Sequence, residues 1–135
     1  MAFFYLRTSI IRAKNGKSAV ASSAYMSANS LYSQKLGRTF QYCNKEEVIF
    51  SEVLLPENAP DEYKNPEVLW NAVEKKENKI NSRYARQFII ALPKEWNREE
   101  CIEFTREFIQ KALVDKGMAV QWAFHNKDGN PHVHI

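Results

Sequence analysis

The chain has little cysteine and no long apolar run, and both shortages exclude whole classes of protein. Its two cysteines, Cys43 and Cys101, are too few for a disulfide framework and lack metal-site spacing, so we expect both to be reduced. No apolar stretch approaches the roughly 18 residues that a membrane span requires. The apolar N-terminus is interrupted at Arg7 and lacks a cleavage site, so it does not resemble a signal peptide. The cytoplasm is therefore the expected compartment.

Acidic residues are absent from residues 1–45, which nevertheless contain seven lysines and arginines. The net charge of the whole chain is only +3, so the positive charge is concentrated in the first third. Such a segment suits a polyanion such as nucleic acid. A solvated surface explains it equally well. The 135 residues, 44% of them hydrophobic, are enough for one domain with a real core.

Hydrophobic periodicity and turn residues predict three helices and six strands in the order β-α-β-β-α-β-α-β-β. Ser18, Asn65 and Asn97 are the expected caps of the three helices. Residues 44–45 are expected to form the turn of a hairpin between the second and third strands. The predicted helices are 19–33, 66–80 and 98–116, and the predicted strands are 2–11, 38–43, 47–55, 84–92, 119–125 and 132–135.

This mixed order with several hairpins predicts an α+β fold in which a central antiparallel β-sheet is flanked by helices. The last predicted strand stops at its fourth residue, Ile135. We therefore expect residues 1–135 to form one N-terminal domain of a longer protein, with its last strand truncated.

The three histidines of the chain all fall within its last eleven residues. His132 and His134 are two residues apart and share one face of a strand, and a hairpin would bring His125 opposite or diagonal to them. Three imidazoles leave open positions on a metal ion, which is the pattern of catalytic sites. Asp128, in the connecting loop, is a candidate to orient a ligand or to bind the metal. Imidazole suits Zn, Mn, Fe, Ni and Cu alike.

Tyr25 is the one large polar side chain among small residues in the first predicted helix. Taken alone, a packing residue with its hydroxyl at the surface is the simpler interpretation. The flanking segment KSAVASSAYMS (17–27), followed by HNKDGNPHVHI (125–135), resembles the MobA/MobL-type plasmid mobilization relaxases of the HUH endonuclease class. Residues 51–60, 69–74 and 83–95 resemble that family's connecting segments in order and spacing.

The resemblance implies an HUH relaxase-like fold with Tyr25 as the nucleophile. It implies that the metal ligands are His125, His132 and His134. The expected cofactor is a divalent metal ion, Mg²⁺ or Mn²⁺ in function, in a site that Zn²⁺, Ni²⁺ or Co²⁺ would also occupy. Glu74, in the family-like segment 69–74, is a candidate general base, although an ion pair with a nearby lysine is as good an explanation.

The resemblance further implies a relaxase domain that nicks single-stranded DNA at a plasmid transfer origin and forms a 5′-phosphotyrosine link, for conjugative mobilization. Relaxosome accessory proteins and a coupling protein are expected as partners, and a membrane is not. The candidate DNA contacts are basic residues that precede the tyrosine helix or lie at the start of the central strand: Arg7, Arg12, Lys14, Lys17, Arg83 and Arg86.

Three other interpretations stay open. A second kind of HUH nuclease, a rolling-circle replication initiator or a transposase, usually has its tyrosine after the histidines, whereas Tyr25 precedes them. A metal-dependent hydrolase would cut DNA with activated water and leave no covalent adduct. A non-catalytic nucleic-acid-binding module would use the metal only to stabilise the hairpin.

Overall fold

The structure, a computed structural model, describes residues 5–135. The first predicted strand begins at residue 2, so its opening residues lie outside this range. The strands are β1 Leu6–Arg12, β2 Ser30–Ser33, β3 Arg38–Gln41, β4 Val48–Leu54, β5 Arg83–Ala91, β6 Val120–Lys127 and β7 Asn130–His134. The α-helices are α1 Ala19–Ser27, α2 Pro66–Lys76 and α3 Arg98–Ala112. Within residues 5–135, none of these helices is long and apolar enough to cross a membrane.

Five strands form the main sheet in the order β1-β5-β7-β6-β4, and every neighbouring pair is antiparallel. β2 and β3 form a separate two-stranded sheet. The prediction of an α+β fold with a central antiparallel sheet and flanking helices is confirmed. β7 holds the middle position, so the strand that carries two of the histidines lies at the centre of the sheet.

The core lies between this sheet and α3. Trp122, Phe124 and Val133 point from β6 and β7 toward buried Cys101 and Ile109 of the helix. We call this side of the sheet the α3 face. The predicted capping box opens α3, because the Asn97 side chain accepts a hydrogen bond from the backbone of Glu100 and the Glu100 side chain accepts one in return.

The first helix is shorter than predicted. Ser18 caps it as expected, but it ends at Ser27, and Ala28 takes the left-handed conformation with φ of 55°. Residues predicted as its last turns form β2 instead. Buried Leu31 packs there against Val20 and Ala24 of the helix. Tertiary packing therefore outweighs helical periodicity in a segment that has no glycine to mark the helix end.

The predicted hairpin between residues 38–43 and 47–55 is wrong. β3 pairs with β2, and β4 pairs with β6 at the edge of the main sheet. Alternating side chains indicate a strand but not its partner. Residues 44–45 therefore lie in a connection between two sheets, which carries Lys45 over the C-terminal end of α1.

The second helix begins as predicted, with the Asn65 side chain accepting from the backbone of Glu67 and Pro66 at the first position. It ends at Lys76, so Ile80 is not part of its apolar face and is 80% exposed. At the end of α3, a short 3-10 turn follows Ala112 and stops at Gly117, whose φ is 91°.

Candidate metal centre and tyrosine

The β6–β7 hairpin brings the three histidines together. His125 pairs directly with His132, and Ala123 pairs with His134, so all three rings lie on the side of the sheet opposite α3. We call this side the histidine face. Directly paired residues of an antiparallel sheet have β-carbons roughly 5 Å apart, which places the rings in contact distance.

The hairpin turn is tighter than the six-residue connection predicted from the sequence. Lys127 pairs with Asn130, which leaves only Asp128 and Gly129 as turn residues. Both have positive φ, 53° and 71°, as a two-residue hairpin turn of this kind requires. Asp128 is thus exposed at the hairpin tip, and the structure does not bring it to the histidines.

The three rings form a compact cluster. Their centroids are separated by 5.3 Å for His125 and His132, 4.2 Å for His125 and His134, and 5.1 Å for His132 and His134. One ring nitrogen of each lies within 4.8 Å of the others. The donor set therefore fits one divalent transition metal with open positions.

Backbone carbonyls orient two of the rings. Nε2 of His125 donates to the carbonyl oxygen of Met26 over 2.7 Å, and Nδ1 of His132 donates to that of Asn130 over 2.8 Å. A carbonyl only accepts, so each bonded nitrogen carries the hydrogen. These bonds leave Nδ1 of His125 and Nε2 of His132 as the ring nitrogens that face no backbone carbonyl in them. Hydrogen bonds of this type fix the orientation of metal-binding histidines.

The environment of two histidines, His125 and His134, favours their neutral form. Burial lowers the pKa of His134 to about 3, and the neighbouring His125 and His132 and the charge of Lys45 add to the effect. Burial also lowers the pKa of His125, although its bond to Met26 opposes the shift. Neutral imidazole is the form that binds metals, so His125 and His134 are prepared for ligation at neutral pH.

Tyr25 lies in the last turn of α1, beside this cluster. Its side chain is 52% exposed. The ring of Tyr42 meets it edge-on, with centroids 5.3 Å apart and planes at 81°. Because Met26 follows Tyr25 in the chain, the hydrogen bond from His125 fixes the end of the helix that carries the tyrosine. The helix that carries the predicted nucleophile thus contacts the histidine cluster through the Met26 carbonyl.

Lys45 is a site residue that the sequence did not reveal. Its Nζ lies 3.2 Å from the centroid of the Tyr25 ring and donates to the Tyr25 carbonyl oxygen over 3.3 Å. Its ammonium also pairs with Glu47 over 3.9 Å. Tyr42 and Lys45 therefore hold the Tyr25 ring from two sides. Nothing in the local sequence marks either residue, because both belong to a connection whose path depends on the pairing of β3 and β4.

Glu74 lies at the other end of α1. Its Oε1 accepts hydrogen bonds from the Ser18 hydroxyl at 2.9 Å and from the backbone N–H groups of Ala19 and Val20 at 2.7 and 3.3 Å. Only 3% of the residue is exposed. Tyr25 is six residues after Ala19 in the same helix, which corresponds to about 9 Å along the helix axis at 1.5 Å per residue. The structure does not bring Glu74 to the tyrosine. Among the described residues, Glu74 also forms no ion pair with a lysine. Its side chain instead anchors the start of α1.

Of the six basic residues predicted to contact DNA, one lies close to the histidines. Arg7 pairs with Ile89, which pairs with His134 on its other side, so Arg7 lies on the histidine face. Arg86 is three residues before Ile89 and points to the α3 face. The remaining four, all exposed, lie at the far end of the sheet near the start of α1: Arg12, Lys14, Lys17 and Arg83.

The fold and site define an antiparallel α+β protein with a three-histidine centre next to a helix-borne tyrosine. Comparison with known proteins gives the family: the MobA/MobL family profile matches residues 17–135, and the chain belongs to this family of mobilization relaxases.

The chain is 32% identical to the conjugal transfer protein TraA of Agrobacterium fabrum over 145 aligned residues, which cover 100% of this chain and 13% of the relative. It is 34% identical to the probable mobilization protein MobA of Bifidobacterium longum, covering 100% of this chain and 24% of the relative. The chain thus spans a minor part of these relatives.

A solved structure shares the fold. Described as "Molecular Basis of Vancomycin Resistance Transfer in Staphylococcus aureus", it matches with a TM-score of 0.91 and 38% sequence identity. The match covers 98% of this chain and 68% of that one. The resemblance drawn from the tyrosine and histidine segments is confirmed at the level of family and fold.

Proposed function

We propose that this chain is the nicking domain of a relaxase, which cleaves single-stranded DNA at a plasmid transfer origin during conjugative mobilization. The observation that carries the proposal is the hydrogen bond from His125 to the carbonyl of Met26. It ties a metal-binding cluster to the residue next to an exposed tyrosine.

In the proposed reaction, the phenolic oxygen of Tyr25 attacks the phosphorus of the scissile phosphodiester. A new oxygen–phosphorus bond forms while the bond to the 3′-oxygen breaks. The phenol releases its proton and the departing 3′-oxygen takes one up. The products are a 5′-phosphotyrosine and a free 3′-hydroxyl, and the step is reversible because the phosphodiester is conserved.

The side chains of the site prepare this step. His125, His132 and His134 would hold the divalent ion, for which Mg²⁺ or Mn²⁺ suits phosphate chemistry and Zn²⁺, Ni²⁺ or Co²⁺ suits imidazole ligands. When bound, the ion supplies Lewis-acid stabilisation of the charge on the phosphate oxygens. Tyr42 and Lys45 restrict the Tyr25 ring, which reduces the entropy lost on reaching the reactive geometry.

Covalent capture tests the proposal. The protein is mixed with end-labelled single-stranded oligonucleotides that tile the transfer origin of its own plasmid, with Mn²⁺ or Mg²⁺, and resolved on a denaturing gel. We expect a metal-dependent protein–DNA adduct that Tyr25→Phe abolishes. Tyr32→Phe is the matched control, because Tyr32 is similarly exposed, at 45%, but lies on β2 away from the cluster.

The other outcomes separate the rival functions. Metal-dependent cutting without an adduct indicates a hydrolase that uses activated water. Binding without cutting or adduct indicates a nucleic-acid-binding module. An adduct that survives Tyr25→Phe rejects Tyr25 as the nucleophile.

A further inference from the structure

Tyr5, which directly precedes β1, and Arg7 of that strand share the histidine face with the candidate metal centre. On β5, Ala91 and Ile89 pair with His132 and His134. On the other side of the same strand, Arg7 pairs with Ile89, and the carbonyl oxygen of Tyr5 accepts the Ala91 N–H over 3.0 Å. Tyr5 and Arg7 therefore point to the same side as the histidines. They lie two strand spacings away, about 10 Å.

A cavity of about 290 Å³ occupies the space between them. Its described lining consists of Tyr5, Ile89, Ala91, Asn130, His132 and His134, and we call it the Tyr5 pocket. Ile89 and Ala91 form an apolar floor without hydrogen-bonding groups. Tyr5, which is 43% exposed, forms one wall, and two histidines of the metal centre form the other. The volume is close to 300 Å³, the lower end of the range for small-molecule sites.

The chemistry of this pocket selects a flat, partly apolar ligand that is attached to a negative charge. An exposed aromatic ring above an apolar floor is the arrangement on which nucleobases stack in single-stranded DNA sites. Arg7, in the next row of the same face, can contact a backbone phosphate. The Asn130 side chain is exposed at the rim, where an amide can bond to a base edge.

We propose that the Tyr5 pocket is a nucleobase subsite, which binds the base of a nucleotide adjacent to the phosphate that Tyr25 attacks. This inference rests on the proposed function, because the metal centre beside the pocket is where that phosphate would lie. Stacking on Tyr5 would fix the strand on one side of the centre, while the Tyr25 helix bounds the other. The pocket thus sets the register of the DNA relative to the nucleophile.

The test measures coupling between Tyr5 and single bases. All variants are made in the Tyr25→Phe background, so that binding is read without any covalent step. Fluorescence anisotropy gives the affinity for a labelled single-stranded origin oligonucleotide and for versions with one abasic nucleotide at each position in turn. Tyr5→Ala removes the ring and Tyr5→Phe keeps a stacking surface. Tyr32→Ala is the control for loss of an exposed aromatic residue elsewhere.

We expect Tyr5→Ala to weaken binding about tenfold, with Tyr5→Phe and Tyr32→Ala close to the parent. One abasic position should cost the parent about tenfold and cost Tyr5→Ala almost nothing, because both changes remove the same stack. An equal abasic cost in the parent and in Tyr5→Ala at every position would overturn the subsite.

The two proposals fail separately. Coupling at one base without an adduct in the chain with Tyr25 intact would keep the subsite and reject the nicking function. An adduct without coupling at any base would support the nicking function and reject the subsite.

Discussion

The imidazole of His125 donates a hydrogen bond of 2.7 Å to the carbonyl oxygen of Met26, the residue that follows Tyr25. His125 is 3% exposed, so this bond is shielded from water. His125 is thus both a member of the histidine cluster and the residue that holds the end of the Tyr25 helix. The position of the end of the Tyr25 helix and the position of the His125 ring therefore depend on each other.

This double role predicts unequal effects of removing single histidines. Each of His125→Ala, His132→Ala and His134→Ala should lower metal affinity at least tenfold, because each removes one of three ligands. At a Mn²⁺ concentration that saturates both variants, His125→Ala should still form adduct more slowly than His132→Ala, because only His125 holds the Tyr25 helix. Isothermal titration gives the affinities, and rapid quench gives the rates. Equal rates at saturation would contradict the link through Met26.

Lys45 should affect the rate of adduct formation more than the affinity for DNA. Lys45→Met removes the ammonium from the face of the Tyr25 ring and frees the side chain to adopt unreactive orientations. We expect a rate roughly tenfold lower under single-turnover conditions with saturating DNA, and a dissociation constant within about threefold of the parent. Lys45→Arg should recover most of the rate. If affinity falls as much as rate, Lys45 is instead a DNA backbone contact.

Glu74 should be a structural residue and not a general base. Glu74→Ala leaves two backbone N–H groups and the Ser18 hydroxyl without their acceptor, which should cost about 2–3 kcal/mol of unfolding free energy. Glu57→Ala, in an exposed loop, should change it by less than about 0.5 kcal/mol. Urea unfolding measures both.

A second variant of Glu74 separates the two roles. Glu74→Gln keeps an acceptor oxygen, so the three hydrogen bonds at the helix start can still form. Under conditions where this variant is folded, we expect it to form adduct at a rate within about threefold of the parent. Loss of the adduct in folded Glu74→Gln would restore the general-base interpretation.

Removing the metal should leave the domain folded. β7 is hydrogen-bonded to β5 and β6 on both sides, and Val133 is 1% exposed in the core of the α3 face. We expect EDTA to lower the melting temperature without abolishing a cooperative transition, because bound metal adds only its binding free energy. The triple alanine variant of the histidines should show no metal-dependent shift. Unfolding on chelation would instead support a module whose metal holds the hairpin together.

The sequence predicted that the three histidines cluster on one face, because local rules govern their placement. His132 and His134 share a face through the two-residue period of a strand. The hairpin turn at Asp128-Gly129 then places their strand beside the one that carries His125. The caps at Ser18, Asn65 and Asn97 were also predictable, because each is a contact between residues two or three positions apart.

What the sequence did not predict depends on contacts between distant segments. Leu31 leaves the helical pattern because it packs against Val20, and Lys45 reaches Tyr25 because β3 and β4 join different sheets. The sequence leaves Glu74 as either a candidate general base or an acid paired with a lysine, because its hydrogen-bond partners are 54 to 56 residues away and cannot be read from the local segment.

The most direct measurement is to locate the DNA on the protein. The adduct formed with a short origin oligonucleotide is digested with nuclease and protease, and the nucleotide-bearing peptide is sequenced by mass spectrometry. We expect a phosphodiester-linked nucleotide on Tyr25, in the peptide that follows Lys17. A nucleotide on another residue, such as Tyr42, or DNA that is cut with no residue modified, would contradict it.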